Sequence, residues 1–519
     1  MFSKVLIANR GEIALRVIRA CRELGVRTVA VYSDADAMAP HARAADEAVH
    51  IGGSRASDSY LRGDVLIAAA QRTGAEAIHP GYGFLSERAP FAHAVRAAGL
   101  VWIGPPAEAI EAVGNKTAAR SLMVAAGVPV VPGTTEALRD ADAALAVAAQ
   151  FGYPVLLKAA AGGGGKGMRV VAAPGELASA LDAARREAQN AFGDDAVYLE
   201  KFVVGPRHVE IQVLADMHGT ILSLGERECS VQRRHQKMLE EAPSVAVSSE
   251  LRRAMGETAV RAARAAGYVN AGTCEFLLDR DGQYYFLEMN TRIQVEHPVT
   301  ELVTGIDLVE WQLRIAAGER LPAGRANIVP RGWAIECRIT SEDPASGFLP
   351  STGRVTYLRV PGGAGVRWDG GIEAGTDVGL FYDPMLGKLI VWAPNREAAI
   401  ARMRRALTEL VVVGVETSRE LHLRILADEE FRAGAIDIHW LERRLDSLID
   451  APPPAAIVEA AAVASALLAR GDGGAHAARP SAMTDGGSRA DGSGEGAGAG
   501  PAGSRPSWAA VARREALRE

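Results

Sequence analysis

The chain has 519 residues, of which 48% are hydrophobic and 23% are charged, and its formal net charge is −6. This balance is typical of a globular protein with two to four domains, and the lack of a basic block in the sequence argues against a nucleic-acid partner. The apolar run after Met1 is too short for a signal peptide, and the longest late apolar stretch, residues 455–469, is too short to span a membrane and contains Glu459. We therefore expect a cytoplasmic protein with no membrane partner.

Cysteine and lysine are both scarce. The four cysteines are too few for a disulfide framework and too scattered for a zinc site, so we expect reduced, mostly buried thiols at Cys21, Cys229, Cys274 and Cys337. Lysine and arginine together number 57, and only seven of them are lysines. In a chain so rich in arginine, a lysine indicates a place where a compact ammonium works and a planar guanidinium does not.

Residues 1–115 alternate short β-rich runs with helical patterns. An amphipathic helix over Ile13–Leu24 lies between two predicted strands, KVLIAN and RTVAVYS, and the alternation continues through EAVHIG, AEAIHP and LVWIG. This order predicts an N-terminal α/β domain with a parallel sheet covered on both faces. The first βα turn, NRGEI, has no GxGxxG, so we predict no NAD site.

Residues 116–332 form a second predicted domain. A linking helix from Lys116 leads to the turn-rich GVPVVPG, and a helix over Ala141–Phe151 precedes YPVLLKAAAGGGGKGMRVV, which predicts strand, loop and strand. A helix over Glu176–Phe192 and the strand AVYLEKFV follow. From there to residue 332 the pattern predicts mainly antiparallel strands with helices between them.

Residues 333–448 begin with β-rich runs and close with a helix over Arg396–Leu410, which predicts a small α+β cap domain. Beyond this domain the composition changes. The stretch APPPAA is a predicted linker, residues 457–468 are a candidate helix, and residues 471–507 are rich in glycine, alanine and serine. We therefore expect residues 449–519 to be a linker and a low-complexity, disordered tail.

Four consecutive glycines lie between two lysines, Lys158 and Lys166. Glycines permit close backbone approach to phosphate oxygens, and flanking lysines neutralise their charge. The P-loop pattern is missing, so any phosphate binding here follows another design. A flexible hairpin loop without function is the alternative.

The segment FLEMNTRIQVEH carries the most chemistry. Glu288 and Asn290 lie two apart in a predicted strand and so point to the same side, which suits Mg²⁺, and Glu275 within the apolar GTCEFLL is a candidate third ligand. A structural ion pair of Glu275 is the alternative. Immediately afterwards Arg292 is suited to grip a small oxyanion, and Glu296 to take a proton from it.

A second polar cluster, Glu226 to Lys237, is too polar for a core and too mixed in sign for a nucleic-acid patch. A solvated surface is the alternative interpretation of this cluster. His208, in PRHVEIQV, by itself favours a structural role.

Together these motifs resemble the biotin carboxylase family of ATP-grasp ligases. The matching stretches occur in family order over residues 1–446: IANRGEIA, HPGYGFLSE, GNK, KAAAGGGGKGM, EKFVVGPRHVEIQV, ERECSVQRRHQK, EMNTRIQVEHPVTE, ECRITSEDP and YDPMLGKL. The visible departure is Ala161, where many relatives carry glycine. The resemblance implies a multidomain α/β and α+β fold with an N-terminal domain (1–115), an ATP-grasp domain (116–332) with a mobile glycine-rich lid at about 132–203, and a C-terminal domain (333–448).

The resemblance also implies roles residue by residue. The implied ATP site is Lys116, Lys158, Gly164, Gly165, Glu200, Lys201, Val203, His208, Gln232, His235, Glu275 and Glu288. The implied metal ligands are Glu275, Glu288 and Asn290. The implied bicarbonate pocket is Lys237, Arg292, Gln294 and Val295, with Glu296 as the base. The implied biotin residues are Tyr82 near the entrance and Arg338, which stabilises the biotin enolate.

The implied reaction is the carboxylation of biotin by ATP and bicarbonate through carboxyphosphate, with Mg²⁺ or Mn²⁺, two ions being expected. No lysine follows Lys388, so residues 389–519 cannot carry biotin, and we expect a separate biotin carboxyl carrier protein. The resemblance further implies a homodimer and a carboxyltransferase subunit that selects the final acceptor, as in acetyl-CoA or propionyl-CoA carboxylases, the former serving fatty acid biosynthesis. Two alternatives stay open: an ATP-grasp ligase acting on another acid, and a catalytically dead scaffold.

Overall fold

The computed structural model describes residues 1–134, 136–159, 168–322, 328–450, 459, 462 and 463, without the side chains of residues 116, 117, 191 and 192. The chain divides into two units, Met1–Ile449 and Asp450–Glu519. In the second unit the described residues Glu459, Ala462 and Val463 are helical, while the predicted linker and low-complexity tail lie outside the described residues.

The N-terminal part is built on a parallel sheet, as predicted. Its strands are β1 (Lys4–Ile7), β2 (Arg27–Tyr32), β3 (Glu47–His50), β4 (Ala77–His79) and β5 (Val101–Trp102), in the order β3-β2-β1-β4-β5. Its helices are α1 (Gly11–Glu23), α2 (Pro40–Ala44), α3 (Gly63–Thr73), α4 (Ala89–Ala97) and α5 (Ala107–Gly114). Because helices cover both faces, the central strand β1 is apolar on both sides, and Val5, Leu6 and Ile7 are all buried.

A small layered subdomain follows. Helix α6 (Lys116–Ala125) precedes it and buries Ala119 and Met123 in a different apolar cluster. The elements of the subdomain are α7 (Ala141–Phe151), β6 (Val155–Ala159), β7 (Met168–Val171), α8 (Leu177–Phe192) and β8 (Val197–Lys201). The three strands form an antiparallel sheet in the order β7-β6-β8. Residues from Leu138 to Leu199 bury a separate apolar cluster against α7 and α8. The glycine run between β6 and β7 lies outside the described residues.

The remaining elements supply one large antiparallel sheet, three two-stranded sheets and the covering helices. The central elements are β9 (Arg207–Ala215), β10 (Ile221–Arg233), β11 (Gln236–Ala242), α9 (Ser249–Ala265), β12 (Asn270–Leu278), β13 (Tyr284–Asn290), α10 (His297–Thr304) and α11 (Leu308–Ala316). The last strands are β14 (Trp333–Thr340), β15 (Glu342–Asp343), β16 (Leu349–Pro350), β17 (Gly353–Arg354), β18 (Tyr357–Arg359), β19 (Val366–Gly370), β20 (Asp377–Val378), β21 (Met385–Ala393) and β22 (Val411–Val413). The last helices are α12 (Arg396–Glu409), α13 (Arg419–Ile425), α14 (Glu429–Arg432) and α15 (Trp440–Asp450).

The large sheet has the strand order β13-β12-β9-β10-β11-β14-β21-β19. It crosses residue 332, the predicted end of the second domain, because β11 pairs with β14. The C-terminal domain was expected to close with the helix over Arg396–Leu410, which corresponds to α12. In the structure α13, α14 and α15 follow it, and they bury Leu421, Phe431 and Trp440 in the apolar cluster that also contains residues of α12. Within the described residues, none of the helices combines the length and apolar character needed to cross a membrane.

Candidate active site

A cavity of about 1250 Å³ collects the predicted site residues from distant parts of the chain. Its lining includes the predicted residues Tyr82, Lys158, Glu200, Lys201, Val203, His208, Gln232, His235, Lys237, Glu275, Glu288, Asn290, Arg292, Gln294, Val295, Glu296 and Arg338. The remaining predicted residues cannot be placed in it: Gly164 and Gly165 lie outside the described residues, and Lys116 begins α6 with its side chain not described.

Lys237, on β11, is shared by three carboxylates inside this cavity. Its Nζ donates to Glu210 Oε2 at 2.7 Å, to Glu275 Oε1 at 2.9 Å and to Glu296 Oε1 at 2.7 Å. Burial lowers the pKa of Lys237, but the three negative charges outweigh burial and raise that pKa well above its ordinary value. The side chain is therefore a permanent ammonium.

The strand register groups the predicted metal ligands. Strands β12 and β13 pair Glu275 with Glu288 and Thr273 with Asn290, so the two carboxylates and the amide lie along one edge of the cavity. Glu275 Oε1 also accepts from Asn290 Nδ2 at 2.8 Å. Two carboxylates with an amide oxygen suit Mg²⁺, which prefers oxygen donors and completes its shell with substrate phosphates.

His208 and Lys237 neutralise Glu275 from the other side. His208 Nε2 lies 2.9 Å from Glu275 Oε2. Burial lowers the pKa of His208 and the charge of Glu275 raises it, with a net rise. The ligand atoms of His208, Glu210 and Glu275 lie within 4.8 Å of one another, but the ammonium of Lys237 already sits between these two carboxylates. The set of Glu275, Glu288 and Asn290, which lines the cavity without Glu210, stays the candidate metal site.

Arg292 and Gln294 line the cavity next to these groups. Arg292 donates from Nε to Glu87 Oε2 at 3.0 Å and from Nη2 to Asn290 Oδ1 at 3.1 Å, so its guanidinium is held at the cavity edge. Gln294 Nε2 donates to Glu275 Oε1 at 2.7 Å. A fixed guanidinium beside a metal-ligand set is suited to a small oxyanion.

Glu296 is the candidate base, and two cations hold it. Its Oε1 accepts from Lys237, and its Oε2 accepts from Arg338 Nη2 at 3.0 Å. Burial raises the pKa of Glu296, but the charges of Lys237 and Arg338 outweigh burial, and the net pKa is lowered. The carboxylate is thus ionised at neutral pH and ready to accept a proton.

Arg338, on β14, lies between two carboxylates. Its Nε donates to Glu240 Oε1 at 2.6 Å, opposite the contact with Glu296. Burial raises the pKa of Glu240, the charge of Arg338 lowers it, and the net value is about 7. Tyr82 also lines the cavity and donates its hydroxyl to Glu12.

The opposite end of the cavity carries the residues expected around the nucleotide. Lys158 Nζ donates to Glu200 Oε2 at 2.7 Å across the β6–β8 pair, and Lys201 Nζ donates to the Gly152 carbonyl at 2.9 Å. His235 adopts φ +64° in the tight turn between β10 and β11. This end therefore combines an ammonium, a carboxylate and backbone groups.

Sequence reasoning missed several residues that organise the site. Arg227 is completely buried and donates to Glu210, Gln212, Thr273, Gln294 and Thr300. Other missed residues are Glu12, Glu87, Glu210, Glu240 and Lys388. The signal that singled out Glu275, an acid within an apolar strand, applies equally to Glu210, and the scarcity of lysine pointed to Lys388. Glu87, in a loop, offered no comparable signal.

Comparisons with known proteins agree with this geometry. Family models match the biotin carboxylase N-terminal domain over residues 1–110, the carbamoyl-phosphate synthase L chain ATP-binding domain over 115–324, and the biotin carboxylase C-terminal domain over 336–443. The chain is 51% identical over 446 residues to the biotin carboxylase of Pseudomonas aeruginosa, covering 86% of this chain and 99% of that one. The chain belongs to the biotin carboxylase family. This confirms the family, the fold class and the type of enzyme that the motifs predicted.

Two further similarities span the first unit. Biotin carboxylase 1 of Bacillus subtilis is 50% identical over 443 residues, covering 85% of this chain and 98% of that one. The biotin carboxylase domain dimer of Hydrogenobacter thermophilus 2-oxoglutarate carboxylase, solved with MgADP, ADP and bicarbonate, has a TM-score of 0.81 and 47% identity, and covers 87% of this chain and 100% of that chain. These similarities extend over most of the first unit and support the fold described here.

Proposed function

We propose that this chain uses ATP and bicarbonate to carboxylate biotin on a separate carrier protein, with the residues of the described cavity in the following roles. The observation that carries the proposal is the contact of one ammonium, Lys237, with both the metal-ligand carboxylate Glu275 and the candidate base Glu296. That contact joins a phosphate-activating group to a proton acceptor within one cavity. A ligase that activates bicarbonate needs this combination.

Bicarbonate would lie against Arg292 and Gln294, with the backbone of Val295 beside them. Glu296 takes the proton of bicarbonate, and the oxygen attacks the γ-phosphate, so that a bond to ADP breaks and carboxyphosphate forms. Mg²⁺ or Mn²⁺ held by Glu275, Glu288 and Asn290 would neutralise the phosphate charge. Lys158 lies at the nucleotide end, and we assign Lys116, Gly164 and Gly165 to the same phosphates.

The second half of the reaction uses the Arg338 end of the cavity. Carboxyphosphate breaks down to CO₂ and phosphate, the phosphate removes the N1 proton of biotin, and the resulting ureido nitrogen bonds to CO₂. Arg338, fixed by Glu240 and Glu296, stabilises the anion of biotin, and Tyr82 borders its entrance. Exclusion of water protects the reactive intermediate, which is the role we assign to the glycine-rich lid.

The partners are part of the proposal. Residues 389–519 contain no lysine, so biotin is not attached within them, and we propose a biotin carboxyl carrier protein as the substrate. The similarity to one domain of a 2-oxoglutarate carboxylase supports a carboxyltransferase partner, and the dimeric state of that domain supports a homodimer. We also propose a cytoplasmic location, which cell fractionation tests directly.

The test is ATP cleavage by the purified chain with Mg²⁺, bicarbonate and free biotin. We expect cleavage that depends on both bicarbonate and biotin, and near-complete loss in Glu288→Gln because the metal loses a charged ligand. The matched control is Glu108→Gln, a change at an exposed glutamate outside the cavity lining. ATP cleavage that does not depend on biotin favours a ligase for another acid, and nucleotide binding without cleavage favours a scaffold. A near-normal rate of cleavage in Glu288→Gln shows that Glu288 is not a metal ligand.

A further inference from the structure

Lys388, on β21, has an unusual environment for a lysine. Its side chain is 0% exposed, although long cationic side chains are rarely fully buried unless they are paired. Its Nζ donates to the Val295 carbonyl oxygen at 2.7 Å and lies 3.1 Å from Glu12 Oε1. The side chain does not appear in the cavity lining, so it does not touch substrate and can act only through these neighbours.

The contact with Val295 bears directly on the base. The carbonyl of Val295 and the N–H of Glu296 belong to the same planar peptide group, so an ammonium that fixes one fixes the other. Strands β14 and β21 pair Arg338 with Lys388, which places the two cations side by side. Arg338 holds the carboxylate of Glu296, and Lys388 holds its peptide.

The contact with Glu12 connects Lys388 to two residues of the cavity lining, Glu12 itself and Tyr82. Glu12 lies in the first turn of α1 and accepts the hydroxyl of Tyr82, which lines the cavity. The backbone of Gly371 packs so closely against Gly11 and Glu12 that a Cβ at residue 371 would lie 2.8 Å from the Glu12 nitrogen. This packing fixes the backbone from which Glu12 projects, and the Glu12 side chain is itself only 3% exposed.

We propose that Lys388 is a positioning residue whose buried ammonium holds the Val295–Glu296 peptide on the bicarbonate side and, through Glu12, the Tyr82 ring on the biotin side. This inference rests on the proposed function, since it assigns the two sides by their substrates. A lysine suits the position because its compact ammonium reaches two acceptors in a fully enclosed space, where the fork of an arginine needs more room. One cation thus fixes the position of the proposed bicarbonate site relative to that of the proposed biotin site.

The experiment compares wild type with Lys388→Met, which keeps the length of the side chain and removes its charge and donors. We measure kcat and the KM values for ATP, bicarbonate and biotin in the ATP cleavage assay. Loss of a charge-assisted hydrogen bond in a buried site predicts a fall in kcat/KM for bicarbonate of about 10- to 150-fold. The KM for biotin should rise as well, and the KM for ATP should stay within about twofold, because Lys388 has no contact with the nucleotide end.

The matched control is Arg396→Met. Arg396 is another buried cation, which donates to Glu241 and to the Phe431 carbonyl and lies outside the cavity lining. It should lower thermal stability without separating the KM for bicarbonate from the KM for ATP. In a folded Lys388→Met protein, an unchanged kcat/KM for bicarbonate together with an unchanged KM for biotin overturns the inference. An equal rise in the KM values for ATP, bicarbonate and biotin overturns it as well. An inactive wild type instead overturns the proposed function itself.

If Lys388→Met gives no cooperative thermal unfolding, Glu12→Gln decides the question. This variant leaves the Lys388–Val295 contact in place and weakens the link towards Tyr82. We expect a rise of about three- to tenfold in the KM for biotin with the KM for bicarbonate unchanged. An unchanged KM for biotin overturns the proposed link between the two sides.

Discussion

Replacing Lys237 by methionine removes the cation that Glu210, Glu275 and Glu296 share. The three Nζ–O distances are 2.7, 2.9 and 2.7 Å, and the lysine side chain is only 13% exposed. Methionine has a similar length but no charge and no donor. The variant therefore leaves three buried carboxylates without the positive charge that offsets much of the cost of burying them.

The magnitude follows from opposing contributions. At an effective dielectric constant of about 20, each contact near 3 Å is worth roughly 5 kcal/mol of attraction. Most of this gain is offset by the cost of burying the charges and by repulsion among the carboxylates, so removing one member of a buried ion pair typically costs about 3–5 kcal/mol. We expect the free energy of unfolding of Lys237→Met to fall by about that amount at pH 8.

The pH dependence gives the prediction its sign. In wild type, burial raises the pKa of Glu210 but Lys237 and Arg227 outweigh it and lower that pKa to about 2, so the stabilisation is present above the unfolded pKa and is lost as pH falls towards 2. In the variant at least one carboxylate should have a pKa above its unfolded value. The folded state of the variant then binds more protons than its unfolded state. The difference in free energy of unfolding between wild type and Lys237→Met therefore shrinks as pH falls from 8 to 6, by up to about 1.4 kcal/mol per pH unit for each proton.

Urea unfolding followed by far-UV circular dichroism at pH 8 and pH 6 measures both effects. The control is Lys4→Met, which removes an ammonium whose partner, Glu47, is 38% exposed, and should cost less than about 1 kcal/mol with little pH dependence. The reasoning is refuted if Lys237→Met matches wild type at pH 8. It is also refuted if the deficit in free energy is the same at both pH values.

Two further predictions concern chemistry and reactivity. Arg338→Gln should leave the affinity for ATP, measured by titration calorimetry, within about threefold of wild type. It should abolish the transfer of labelled bicarbonate to biotin, because the contacts of Arg338 lie at the proposed biotin end of the cavity. Equal loss of ATP binding and of biotin carboxylation would contradict its assigned role. The four cysteines are buried, and burial raises the pKa of Cys21 and of Cys274 to about 12, so a thiol reagent at pH 8 should label the native protein hardly at all and label all four thiols in urea. Rapid labelling of the native protein would show that these thiols are accessible.

Much of the local structure could be predicted because its signals are local. The strand-like segment QYYFLEMN predicts a strand, and this sets Glu288 and Asn290 on one side, since the side-chain period of a strand is two. The alternating βα order in the first 115 residues predicts the parallel sheet, which the structure confirms. An acid within an apolar strand, as at Glu275, predicts a compensating cation or metal wherever the partner comes from.

Only the tertiary structure decided which groups meet. Glu210, Glu275 and Glu296 reach Lys237 from β9, β12 and the residue before α10, and the register of β9, β10, β11 and β12 brings them within one hydrogen-bond length. Strand order and register depend on pairing between distant segments, which no local pattern encodes. The same reason explains why the large sheet crosses residue 332, why three helices follow α12, and why Lys388 contacts Val295 and Glu12. The sequence determined the chemical groups and the elements that carry them, and long-range pairing and burial determined their partners.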